Sequence, residues 1–196
     1  MKSLWARLCA ALMVTALCAG GALAQAVERE GVKFEPTAQV GGAALQLNGT
    51  GVRTRAIFKV YAAGLYVPQK ADSAAALLSQ KGPRRLSMTM LRNVDADSFA
   101  GPLNEGLRNN HTEAQLAGFK SQLETLNANL KAVGDTRKGD VVLLDFTPDV
   151  GTRLSVNGQP RGSAIPGEDF YEAVLRIWLG DKPADGDLKK RLLGGA

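Results

Sequence analysis

The chain has 196 residues, 45% of them hydrophobic and 22% charged, with a formal net charge of +5 and two cysteines. The positive excess is small and no basic run is longer than Lys189-Lys190-Arg191, which argues against a nucleic-acid interface built on clustered cations. A single histidine, His111, is too few for a histidine-based zinc site or a serine–histidine triad.

The first 24 residues read as a secretory leader. Lys2 and Arg7 flank the start of an apolar run from Leu8 to Cys18, and Ala22-Leu23-Ala24 supplies a small-x-small cleavage site before Gln25. The run is shorter than the ~20 residues a membrane-spanning helix needs, so no stable membrane insertion is expected. Leu17 is too bulky to precede a lipid-modified Cys18. Cleavage near Ala24 would deliver a periplasmic or secreted protein. Removing 24 residues from 196 leaves 172, enough for one domain over 25–196. Loss of Lys2 and Arg7 lowers the charge from +5 to +3. Cys9 and Cys18 leave with the leader, so neither a disulfide nor a thiolate site is expected in the mature chain.

The mature chain opens with strand-like "VKFEPTAQV" and "AALQLNG", separated by Gly41-Gly42. "GVRTRAIFKVYAAGLYV" (51–67) is the longest strand candidate. On strict alternation Arg53, Arg55, Ile57, Lys59, Tyr61, Ala63, Leu65 and Val67 share one face, and Ala56, Phe58, Val60 and Ala62 give the other an ordinary core character. "ADSAAALLSQ" fits a short helix and "RRLSMTMLR" a strand with Leu86, Met88 and Met90 on one side. "DADSFAGPLNEGLRNN" reads as a helix kinked or restarted at Gly101-Pro102.

"TEAQLAGFKSQLETLNANLKAV" is the clearest helix, with Leu116, Phe119, Leu123, Leu126, Leu130 and Val133 at three- and four-residue spacing. Thr112 and Gln115 form a capping box at its start and Gly134 stops it. "DVVLLDFTP" and "TRLSVNGQPRGSAI" are strands, the second turning back at Asn157-Gly158. "PGEDFYEAVLRIWLG" is an amphipathic helix, with Pro166 near its start, Glu168 and Asp169 in its first turn and Gly180 as its stop. "DLKKRLLG" closes the chain as a short basic helix. The predicted class is α+β, an antiparallel sheet with helices on one face.

Several motifs carry no chemistry. "GTGVRT" fails as a dinucleotide fingerprint, because Thr54 stands at a glycine position and a strand follows; its glycines suggest a turn. "DKPADGDLKK" lacks calcium-loop spacing and suits a helix boundary. The carboxylates of "LLDF" and "GEDF" have no evident acid–base partner. His111 suits a helix start beside Thr112, and Trp178 shares a helix face with Phe170, Val174 and Leu175 as core. The cationic end of the 51–67 strand suits a solvated face. Its gradient from polar to apolar also suits an amphiphile, an arginine fork on the anionic head and aliphatics on the tail.

"LNGTGVRTRAIFKVYAAGLYV" resembles the signature strand of the chalcone isomerase-like family, and "AIPGEDFYEAVLRIWLGDKP" resembles the closing helix of its bacterial exported members. The resemblance covers about Val32 to Leu193. It implies an open-faced β-sandwich, a large antiparallel sheet covered on one face by helices. In the plant enzymes of this family, which close a chalcone into a flavanone without a cofactor, an arginine matching Arg53 stabilises the oxyanion. Their threonine corresponds to Tyr61, and the nearest counterparts of their catalytic tyrosine are Ser98 and Phe99. One catalytic element is retained and two are replaced, which weakens transition-state stabilisation. Non-catalytic fatty-acid-binding members hold the carboxylate with an arginine and a tyrosine that match Arg53 and Tyr61.

Eight residues on a straight strand span about 26 Å, at ~3.3 Å each. The implied pairing of Arg53 with Tyr61 therefore requires a turn or bulge around Thr54 to Ile57. The expected function is a monomeric, cofactor-free, non-catalytic periplasmic binder of a fatty acid or similar amphiphilic carboxylate, with Arg53 and Tyr61 at the head group. One alternative is an isomerase or intramolecular lyase that uses Arg53 for the oxyanion. The other is an exported module that docks a partner protein by its basic strand face, which an occluded cleft would favour.

Overall fold

Reversals of the chain at residues that accept positive φ build most of the architecture. In a computed structural model, which describes residues 25–195, Glu30-Gly31 (φ 51° and 76°) joins β1 (Val27–Arg29) to β2 (Val32–Phe34). Gly41-Gly42 (φ 55° and 79°) joins β3 (Thr37–Val40) to β4 (Ala43–Arg55). The expected leader, residues 1–24, lies outside the described residues. "VKFEPTAQV" is thus two strands, because Pro36 cannot donate to a ladder, and they belong to different sheets.

The large sheet is an antiparallel meander of seven strands, β3-β4-β5-β6-β7-β8-β9. Its remaining members are β5 (Phe58–Val67), β6 (Arg84–Met90), β7 (Val141–Thr147), β8 (Gly151–Val156) and β9 (Gln159–Pro160). Asn157-Gly158, with φ of 51° and 77°, makes the foreseen two-residue turn between the last two.

The helices are α1 (Ala74–Leu78), α2 (Ala96–Asn110), α3 (Glu113–Gly118), α4 (Lys120–Val133), α5 (Glu168–Leu179) and α6 (Gly186–Leu192). Two of them depart from their periodicity. α2 runs unbroken through Pro102, whose missing N–H leaves the Ser98 carbonyl without a helical bond. The long helix divides into α3 and α4 at Phe119, which leaves helical geometry (φ −106°, ψ 19°) after Gly118. Phe119 there meets Phe170 edge-to-face at 5.6 Å, a contact that rewards the break. The Thr112–Gln115 capping box and the Gly134 stop stand as expected.

The main core lies between the sheet and α2, α4 and α5, where Leu65, Leu86, Met88 and Leu144 meet Leu107, Leu130, Val174 and Trp178. A smaller core on the opposite face places Phe34 against Leu45, Leu47, Ala62 and Tyr66. Only helices layer the first face, so the architecture is the open-faced α+β sandwich expected from the sequence.

A bulge at Asn48 turns β4 over. Leu47 pairs with Tyr66 and Gly49 with Leu65, so Leu45 and Leu47 pack in the minor core while Gly49, Gly51 and Arg53 face the helices. The two glycines are not turn residues, as "GTGVRT" suggested. They let α6 lie directly on β4: a Cβ on Gly49 would overlap the Arg191 carbonyl oxygen and lie 2.7 Å from that of Leu192. Asn48 secures the same contact, its Nδ2 donating to Leu192 O at 2.7 Å and to Ala71 O at 2.9 Å. Gly49→Ala is therefore expected to cost about 1–3 kcal/mol, measured by urea denaturation. Since only backbone opposes the new methyl, no side chain can relieve it by changing rotamer.

Candidate functional site

The candidate site stands on the hairpin between β4 and β5. Ala56 and Ile57 form its turn, with Ala56 at φ 53°. The reversal thus falls within the Thr54–Ile57 window that the pairing of Arg53 with Tyr61 required. Arg53 and Tyr61 are direct cross-strand partners, and the next pair is Thr54 with Lys59. Val60 is the extra residue of that step, a bulge that interrupts the alternation read from sequence. Beyond it Tyr61, Ala63, Leu65 and Val67 face the helices.

The Arg53 guanidinium carbon lies 5.8 Å from the centre of the Tyr61 ring, within cation–π range. Arg53 Nε is buried without a hydrogen-bond partner. Among the described residues no carboxylate forms an ion pair with this arginine. Tyr61 is 4% exposed, and its hydroxyl accepts a 2.8 Å bond from Trp178 Nε1. That is the only hydrogen bond the Tyr61 hydroxyl makes among the described residues, and a phenol can also donate. Burial pushes the Tyr61 phenol above its ordinary value, and the nearby Arg53 charge offsets this only in part. Tyr61 is therefore a neutral donor at physiological pH.

Three spaces that share wall residues lie around this pair. A mouth of about 310 Å³ is lined by Arg53, Arg55, Phe58, Arg92, Asp95 and Ser98, among others. Its one lining carboxylate, Asp95, is engaged as the N-cap of α2 and accepts from Ser98 N at 2.8 Å. Arg53, Val60, Val94 and Ser98 also wall the second space, about 20 Å³, which reaches Tyr61 and Phe99. Met88, Phe99, Leu103 and Ile177 continue into the third, about 20 Å³, lined otherwise by leucines, Val174 and Trp178. Each inner space holds roughly one water molecule. Polarity thus falls from the arginine-lined mouth, through the space at Tyr61, to the aliphatic-walled third space.

The other singled-out residues have structural duties. His111 caps the C-terminus of α2, its Nδ1 2.9 Å from Leu107 O. Asp185 caps α6 through Asp187 N and Leu188 N, and also accepts from Thr54 N at 2.9 Å. Asp145 and Glu168 are held in ion pairs with Arg85 and Arg84 respectively. Ser98 and Phe99 both line the track beside Arg53. Trp178 is core, as its helix face implied, yet it also fixes the Tyr61 hydroxyl. The usable signal was that a buried indole N–H requires an acceptor. Among the described residues no group of His, Cys, Asp and Glu is arranged to hold a metal ion, and no helix is long and apolar enough to cross a membrane.

All three tyrosines of the chain have phenols raised by burial: Tyr61, Tyr66 and Tyr171. The folded state therefore keeps its phenolic protons above pH ~10, where the unfolded chain releases them. This contribution to stability is complete below that pH and is lost as pH rises toward the folded values. An alkaline titration should accordingly show phenolate absorbance appearing together with loss of near-ultraviolet circular dichroism. Full ionisation at the ordinary tyrosine pH in a folded protein would contradict it.

No curated protein matches the chain in sequence. Among solved structures, a fatty-acid binding protein from Arabidopsis thaliana superposes with a TM-score of 0.63 at 13% identity, covering 86% of this chain and 96% of that one. At that identity the likeness is one of fold. The family model described as chalcone isomerase-like matches residues 26–194. With the sheet, the helix layer and the "GVR" and "VYA" segments where that resemblance required them, the chain belongs to the chalcone isomerase-like family.

Proposed function

We propose that this chain is a periplasmic, non-catalytic binder of a fatty acid or a similar amphiphilic carboxylate. The observation that carries the reading is the Arg53–Tyr61 pair, an arginine without a carboxylate partner beside a neutral buried phenol, at the head of an apolar-walled track. The guanidinium would give a carboxylate a charge-assisted fork and the phenol a second donor. The fatty-acid-binding name of the Arabidopsis protein supports the same ligand class.

The tail needs more room than two spaces of about 20 Å³, so α2 must yield. Its first half is suited to this, with Gly101 in open space and Pro102 lacking a backbone donor. Its second half is held, because Gly106 packs tightly on Ile177 and Asn110 bonds Lys182 O at 2.8 Å. The reading is tested by incubating residues 25–196 with a mixture of medium- and long-chain fatty acids, followed by native mass spectrometry. One retained acid per chain is expected. No retained acid at micromolar ligand would sink the proposal.

The narrowness of the inner track favours the partner-docking alternative, and the same spectra discriminate it through the missing adduct. The isomerase alternative keeps Arg53 but has Ser98 and Phe99 where the plant enzymes carry a tyrosine. Chalcone turnover faster than in buffer would restore it.

A further inference from the structure

The hairpin that carries Arg53 ends in an unusual tip. Three large apolar side chains are exposed among the described residues, and two of them, Ile57 (85%) and Phe58 (53%), are adjacent there. Burial elsewhere is thorough, so this pair is not explained by a shortage of polar surface. Cations surround it. Arg55 and Lys59 flank it in sequence, and Arg92 stacks on Phe58 with its guanidinium carbon 4.6 Å from the ring centre. Lys59 is paired with Glu30 at 2.8 Å, and Asp95 caps α2. Arg55 and Arg92, both exposed, have no ion-pair partner among the described residues.

We propose that this tip docks the protein on an anionic lipid bilayer, with Ile57 and Phe58 entering the headgroup boundary and Arg55 and Arg92 on lipid phosphates. Apolar residues beside cations are the pattern of interfacial attachment. An uncompensated arginine near an anionic surface contributes roughly fivefold in affinity. Arg55, Phe58 and Arg92 also line the mouth, so docking would set the entrance of the track against the membrane. The inference concerns the surface and does not depend on the ligand proposed above.

The test uses residues 25–196, which contain every described element and both cores and exclude the apolar run from Leu8 to Cys18. Co-sedimentation is measured with vesicles of equimolar phosphatidylglycerol and phosphatidylcholine, and with phosphatidylcholine alone. Binding to the anionic vesicles is expected, about tenfold or more above the neutral ones and declining with added salt. Ile57→Asp, at a position that lines no part of the track, is expected to weaken it about tenfold with an unchanged melting temperature. Ile57→Trp should show a blue-shifted emission on anionic vesicles only. Equal binding to both vesicle types, wild-type binding by Ile57→Asp, or no sedimentation at all would overturn the proposal. The last is also what a tip that docks a protein would give.

Discussion

Glu168→Ala is expected to destabilise the fold by about 3 kcal/mol, whereas Arg84→Met, which removes the other half of the same pair, should change stability by about 1 kcal/mol or less. Arg84 is completely buried on β6, beside the stacked rings of Phe146 and Tyr171, whose centres lie 5.1 Å from each other and 5.2 and 5.0 Å from its guanidinium carbon. Burial lowers its pKa, and the nearby Tyr171 and Glu168 only partly oppose this. Nη2 meets Glu168 Oε1 at 2.7 Å, and the same oxygen accepts from Gly82 N at 3.0 Å. Nη1 has no hydrogen-bond partner among the described residues.

Removing Glu168 leaves a buried cation without its ion-pair partner, the expensive way to break such a pair. The carboxylate is 28% exposed, so water recovers part of the loss and the lower end of the usual 3–5 kcal/mol applies. Methionine in place of Arg84 fills the space beside the two stacked rings without a charge to desolvate, and the freed Glu168 can turn to solvent. For a chain of this size 3 kcal/mol corresponds to roughly 6–12 °C in melting temperature. Scanning calorimetry of the two variants checks the order. A more damaging Arg84→Met would mean that the pair contributes net stability beyond its burial cost.

Arg53→Ala is expected to weaken binding of a long-chain carboxylate by about 10- to 100-fold, the loss of a hydrogen bond to a charged group at 1.5–3 kcal/mol. The fold should survive. Arg53 is only half-buried, has no ion-pair partner and contributes one cation–π contact to Tyr61. Isothermal titration calorimetry, with circular dichroism as the control, measures both. A folded variant with wild-type affinity would remove Arg53 from the head-group site and leave Tyr61 without its proposed charged partner.

The helix positions were legible because their signals are local. Thr112 with Gln115, and Gly134 and Gly180 as stops, act within a turn of their own backbone. What failed was alternation along 51–67, since period two assumes an unbroken strand. A turn at Ala56-Ile57 and a bulge at Val60 each reset the face. Neither position carries the glycine or asparagine that advertises such geometry. Only the demand that Arg53 and Tyr61 meet, which came from resemblance, forced the turn into view. Gly49 and Gly51 were misassigned because the cause of their small size is α6, well over a hundred residues away. The Trp178–Tyr61 bond and the Arg84–Glu168 pair were invisible for the same reason, their partners being 117 and 84 residues apart.

The proposed role of Arg53 is to recognise the charge of a ligand whose tail enters the apolar track. A binding cycle tests it most directly, pairing a fatty acid and the alcohol of equal chain length with the wild type and Arg53→Ala. The wild type is expected to prefer the acid about tenfold or more, while the variant binds acid and alcohol alike. An undiminished preference for the acid in Arg53→Ala would contradict it.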